Sequence, residues 1–242
     1  MTMKEILIAG KLTVSEGGGG GGITPDMTAT RSYEGDIVLT DATKIVSKAY
    51  KDSAITSITG PKVTEIESEA FRDCAQLEHV SFPLVETAGT AADNYLFWNA
   101  PIDVLNLPSL KTINGNYTFG GIGKAAKKVI IVMPKVENVV QNCFRSSFMA
   151  ACDLGPNLAS MTPNYVFWSG ALDVLILRRT ADIVAASANG IGGVGGSTKV
   201  YVPSALIDSY KAAAAWSSKG DIFYPIEGSI YENAYADGTP IA

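Results

Sequence analysis

Histidine occurs once in these 242 residues, at position 79, and cysteine only three times. A single imidazole rules out multi-histidine metal centres and makes a nucleophile–base pair hard to assemble. His79 falls between Leu77 and Val80 in an alternating run, on the outward side, and reads as a surface polar residue. Cys74, Cys143 and Cys152 are odd in number with no Cys-x-x-Cys pair, so no disulfide framework is expected. They read as small buried hydrophobes made in a reducing cytoplasm. Charge is scarce as well. Charged residues make up 18% of the chain and the net charge is −5, a field that repels phosphate backbones, so no nucleic-acid partner is expected. Lys124, Lys127 and Lys128 cluster without interleaved aromatics and read as a solvated loop.

Long apolar runs are also missing. The run at Ile6-Leu-Ile-Ala9 is about four residues, against roughly 7–15 for the core of an export signal, and nothing reaches the roughly 18 of a membrane helix. Membrane insertion is therefore not expected. Yet 47% of the residues are hydrophobic, far too many for a disordered chain.

What the chain has instead is a repeat. Leu77-Glu-His-Val-Ser-Phe-Pro83-Leu-Val-Glu-Thr-Ala88 aligns with Ile102-Asp-Val-Leu-Asn-Leu-Pro108-Ser-Leu-Lys-Thr-Ile113. The stretches Ile55 to Ile66 and Lys128 to Val139 share the frame. The proline slot recurs at Thr40, Pro61, Pro83, Pro108, Pro134, Pro156, Arg178 and Pro203. Those steps fall inside the roughly 20–29 residues of a leucine-rich repeat. Period-two alternation before the slot predicts a short strand with alternate side chains in one core, ended by a proline that has no ladder donor. An aromatic follows in six units: Tyr50, Phe71, Phe97, Phe119, Phe144 and Phe167. One aromatic at one place per turn predicts a stacked core column. The expected fold is a leucine-rich-repeat-like parallel β solenoid of seven to eight turns, mostly β and loop, with a short C-terminal helix. At about 4.8 Å per step it is on the order of 35 Å long.

The ends depart from the frame. Residues 1–35, with Ile6-Leu-Ile8 and the run Gly17 to Gly22, read as an arm or attachment segment; 36–198 read as the solenoid and 199–242 as a cap. In the cap, Ser204 is the expected N-cap of a helix whose apolar face is Leu206, Ile207, Tyr210 and Trp216, ended by Gly220.

The unit Ile55 to Cys74, Ile-x-x-Ile-x-x-Pro-x-Val-x-x-Ile-x-x-x-Ala-Phe-x-x-Cys, resembles the BspA-type leucine-rich repeat. Val200 to Trp216 is similar to the segment that commonly closes such arrays. The Pro156 unit departs from the pattern, with Asp153 and Gly155 where apolar residues are expected. The resemblance implies adhesion or recognition, with no catalytic residues and no cofactor. It occurs in bacterial surface adhesins and in bacteriophage virion proteins. With no recognisable export signal, the expectation is a non-enzymatic virion protein that decorates the particle, builds tail or fibre, or binds the host. A bacterial cell-surface adhesin is the alternative, and a carbohydrate-active solenoid enzyme is disfavoured by the scattered carboxylates. Expected partners are other virion proteins or further copies of the chain, with a host surface protein or glycan as ligand.

Three motifs bear on chemistry. Gly190-Ile-Gly192-Gly-Val-Gly195 matches the dinucleotide string but leads into another strand rather than a helix, so it reads as a repeat-edge loop. Glu65, Glu67, Glu69 and Asp73 crowd one turn, where a paired-acid or cation site is conceivable, but with nothing nearby to mark a cleft they read as a solvated face. Trp98 and Trp168, in the near-copies Asn94-Tyr95-Leu-Phe-Trp98 and Asn164-Tyr165-Val-Phe-Trp168, follow the core phenylalanine and belong at the outer edge of the turn. With Tyr95 and Tyr165 they are the candidate ligand-binding residues; packing against a neighbouring turn is the competing placement.

Overall fold

The computed structural model describes residues 4–8, 11–15, 33–90 and 94–233. Eight turns stack as a parallel β solenoid. Their principal strands are Glu34–Leu39, Ala54–Thr59, His79–Ser81, Val104–Asn106, Val129–Val132, Phe148–Asp153, Ala171–Ile176 and Lys199–Val202. They pair in chain order, all parallel. Phe223–Pro225 adds a parallel strand beyond the last turn. Lys11–Ser15 adds one before the first and carries the antiparallel strand Lys4–Ile8. The run Gly17 to Gly22 lies outside the described residues.

The register shows why the sequence repeats as it does. Ile37, Ile58, Val80, Leu105, Ile131, Cys152, Leu175 and Val200 occupy equivalent positions and are all buried. Leu39, Phe82, Leu107, Met133, Leu154, Leu177 and Val202, two residues on, are buried too. The apolar residue five beyond the proline falls on a second sheet, where Lys44–Ile45, Glu65–Ile66, Thr87–Ala88 and Thr112–Ile113 pair in parallel. Between the sheets runs the expected aromatic column. Tyr50, Phe71, Phe97, Phe119, Phe144 and Phe167 stack at centroid spacings of 5.6, 5.2, 5.7, 5.6 and 5.4 Å. The core is a set of columns, each position packed on its counterpart one turn away.

Three local expectations are corrected. In the sixth turn the register pairs Cys152 with Ile131, so Asp153 points outward and Leu154 inward. Gly155, not Pro156, then occupies the proline slot. Its φ is +65°, and a Cβ there would come within 2.3 Å of the Pro134 carbonyl oxygen, a space only glycine fills. The unit is shifted by one residue rather than worn. Second, Ser204 makes no side-chain cap; its N–H donates to Glu227 Oε2 at 2.8 Å. Third, the helical stretch is divided: a 3-10 turn at Ser204–Leu206, then Ile207–Ala212 and Ala214–Ser217, separated by Ala213 in an extended conformation.

The cap nevertheless buries Tyr210 and Trp216. Val184 N–H donates to the Tyr210 hydroxyl at 2.9 Å, and Trp216 Nε1–H donates to the Val184 carbonyl at 2.8 Å. Both backbone groups of one residue in the last return segment are thereby satisfied, as burial requires.

The segment after the last strand then lies on the outward face of the principal sheet. Ile226 joins Val132, Ala151, Val174 and Ile176 in a second apolar cluster, with Ile130, Tyr201 and Tyr231 packed against it. In the column of Ser81 and Asn106 the outward residue becomes Val132 and Ile176 where this segment covers it, with Asp153 between them. The two breaks in the repeat fasten it. Arg178, in a proline slot, donates through Nε to Asp153 Oδ2 at 2.7 Å and through its terminal nitrogens to the carbonyls of Tyr231 (2.7 Å) and Glu232 (3.2 Å).

Candidate functional site

Six of the eight turns return past a core aromatic through a five-residue edge segment, such as Glu69–Asp73 or Tyr95–Asn99. The first and fifth residues have positive φ: 57° and 60° in the former, 47° and 60° in the latter. This zigzag aims alternate N–H groups along the stack. Glu69, Phe71 and Asp73 donate to the carbonyls of Asn94, Leu96 and Trp98 at 2.8, 3.0 and 2.8 Å. Asn142, Phe144 and Ser146 do the same to Asn164, Val166 and Trp168. Hydrogen bonds therefore order the edge as firmly as the strands, and side chains at its first, fourth and fifth positions project from fixed points.

On that edge lie the four aromatic residues singled out in the sequence. Tyr95 stacks on Tyr117 of the next turn at 4.7 Å and 8°. Trp98 meets both rings edge-on, at 5.6 and 5.5 Å. Arg72 lies 5.0 Å over Tyr95 and Arg145 5.9 Å over Tyr117, closing a cation–aromatic–aromatic–cation row across four turns. The indole of Trp98 rests on Gly120, where a Cβ would stand 2.7 Å away, and that of Trp168 rests on Gly192 at 3.3 Å. Each tryptophan thus packs one face on the next turn's glycine. Trp168, edge-on to Tyr165 at 5.2 Å, still leaves 45% of its surface open. The structure joins Tyr95 to Trp98 and Tyr165 to Trp168, and holds the two pairs three turns apart.

Tyr117, Arg72 and Arg145 were not singled out from the sequence. Tyr117 was detectable, since Asn116-Tyr117-Thr118-Phe119 repeats the frame of Asn94-Tyr95-Leu96-Phe97. The arginines carry no such mark, because basic residues at an exposed edge position are common.

The acidic group on the second turn resolves into ion pairs. Lys44 bridges Glu65 (3.1 Å) and Glu67 (2.6 Å); Glu69 meets Lys48, Lys51 and Arg72 at 3.6, 3.5 and 3.1 Å. Asp73 takes Arg72 and the Asn99 amide. Burial works to raise the Glu69 pKa, but the three cations together hold it below the usual carboxylate value. Glu65, Glu67 and Glu69 tie the second turn to the first, and Asp73 ties it to the third.

The glycine string 190–195 shows no nucleotide geometry. Its loop leads into the strand Lys199–Val202, and a Cβ at Gly190 or Gly193 would lie 2.0 Å from the Met161 or Phe167 carbonyl oxygen. These glycines permit close turn-to-turn approach. The cysteines are free and buried. Burial pushes the Cys74 thiol up to about 11, Cys143 up to about 12, and Cys152 well above its ordinary value.

No curated protein matches the sequence. Among solved structures, that of the pneumococcal vaccine antigen PcpA is similar over 90% of this chain and 94% of its own, at 13% identity and a TM-score of 0.25. The BspA-type leucine-rich repeat region matches in six copies over residues 43–172, more than half of the sequence. With its eight stacked turns and aromatic column, the chain belongs to the BspA-type leucine-rich repeat family.

Proposed function

We propose that this chain is a non-enzymatic recognition solenoid that binds its target through the aromatic return edge. The observation that carries this reading is the Tyr–Trp pairs held on a hydrogen-bonded edge, with nearly half of Trp168 open to solvent. Rigid aromatics with one packed and one open face suit stacking on sugar rings or anchoring in a protein pocket, because little conformational entropy is lost on binding. The setting we propose is the surface of a bacteriophage particle, in decoration, tail or fibre; family membership is equally compatible with a bacterial cell surface.

Recognition is tested with a printed array of bacterial cell-wall and mucin glycans, probed with the wild-type chain and a Tyr165→Ala/Trp168→Ala variant. Selective binding lost in the variant at unchanged thermal midpoint supports the aromatic edge. Binding that survives the double substitution sinks it. The setting is tested separately by mass spectrometry: the chain in purified particles supports the virion, whereas its recovery only from shaved cell surfaces replaces that setting.

A further inference from the structure

Where the third and fourth principal strands begin, Glu78, His79 and Asp103 come together with one potential ligand atom each, all within 4.8 Å of one another. The backbone fixes two of them. Asp103 and Val104 N–H groups both donate to the Glu78 carbonyl, at 3.0 and 3.1 Å, so the carboxylates lie side by side on adjacent turns. The Asp103 side chain is 10% exposed, and its Oδ1 is buried without a hydrogen-bond partner. That oxygen faces His79 Nδ1 at 3.7 Å. Lys127 reaches back from the next turn, but it sits on the other oxygen, Oδ2, and lies 3.9 Å from Glu78. A buried carboxylate oxygen with no donor is costly unless a donor or a cation meets it.

We propose that Glu78, His79 and Asp103 form a binding site for a divalent transition-metal ion of the zinc class. One imidazole nitrogen and two carboxylates are borderline ligands suited to such ions, and a single face leaves further positions for water. Bonds of about 2.0–2.2 Å hold tetrahedral ligand atoms roughly 3.4 Å apart, close to the His79–Asp103 separation. Only Glu78, half-exposed, has to rotate inward. Lys127, 59% exposed on its loop, is the resident cation that the ion displaces from the edge of the site. The cluster shares no residue with the aromatic pairs, so this inference does not depend on the recognition reading.

Because His79 is the only histidine, its ring signals can be followed without assignment ambiguity. Zinc chloride is titrated into the intact chain, with NMR of the imidazole and calorimetry in parallel. The expected result is saturable one-to-one binding that shifts the imidazole signals. Asp103→Asn should weaken it at least tenfold, whereas Lys127→Ala, which removes a competing charge, should tighten it about fivefold. Thermal midpoints in metal-free buffer show whether each variant is folded. Absence of a saturable shift overturns the proposal. Equal affinity in Asp103→Asn also overturns it, since the ion then holds to an exposed imidazole alone. Cobalt substitution adds an independent reading: a thiolate charge-transfer band would place the ion on a cysteine and sink the site.

Discussion

Asp153 lies on the outward face of the principal sheet, at the position that Ser81 and Asn106 hold in earlier turns, yet it is buried. Burial pushes its carboxyl above the ordinary 3.8, although Arg178 pulls the other way. An acid raised in the folded state contributes stability that is full below 3.8 and lost as pH rises through the folded value. Arg178→Ala removes the opposing pull, raises Asp153 further and leaves a buried charge unpaired. The variant should lose about 3–5 kcal/mol at neutral pH. Its deficit against wild type should narrow at acid pH, where Asp153 binds a proton. Comparison with wild type cancels the opposite trend of Glu67 and Glu69, whose lowered values are retained in both proteins. Urea unfolding at both pH values measures this, and hydrogen exchange should show the amides of 226–232 opening first. A deficit independent of pH would mean that Arg178 acts through the Tyr231 and Glu232 carbonyls alone. Neither residue announced this role in the sequence. Each looked like damage to the repeat, because their partnership spans 25 positions and depends on a segment folding back over the sheet.

At the scale of the element, the strands and the aromatic column were legible and the return edge was not. A strand's inward positions must be apolar in every turn, so Val80 and Leu105, or Phe97 and Phe119, declare themselves by spacing alone. The left-handed edge places no such demand. Its first position holds Lys48, Glu69, Tyr95, Tyr117, Asn142 and Tyr165, three tyrosines among a cation, an anion and an amide, so no single residue type marks it in every turn. The fifth holds Asp52, Asp73, Asn99, Gly121, Ser146 and Ser169, small polar residues or glycine, which is a turn signal in hindsight. The inter-turn ladder imposes the conformation at a local cost. Ser169, exposed at φ 62°, therefore carries strain that glycine lacks. Ser169→Gly should stabilise by about 0.5–1 kcal/mol, and Gly121→Ala, at φ +71°, should destabilise by about 1–2 kcal/mol. Urea midpoints moving in opposite directions at constant m would bear this out. If both variants lose stability, the edge is held by side-chain contacts rather than by backbone conformation.

For the molecule as a whole, each turn packs on its two neighbours, so stability is a sum of turns and interfaces and any interior turn is removable in register. Leu105 and Ile131 occupy the same column, which defines a clean excision: removing residues 105–130 joins Val104 to Ile131 and sets Phe97 against Phe144. The principal sheet and the aromatic column close over the gap in register, and both ends keep their neighbours. The shortened chain should unfold in one cooperative transition, with m lower by about a tenth, in proportion to the surface removed. Small-angle scattering should show a particle about 5 Å shorter along the stack. The ends are different, because Tyr210, Trp216 and Phe223 cover the last turn's otherwise open face. Truncation before Ser204 exposes that face and should abolish cooperative unfolding, whereas the interior excision should not. If the excision were the more damaging of the two, the turns would not be interchangeable, and stability would have to reside in a unique central contact rather than in the stack.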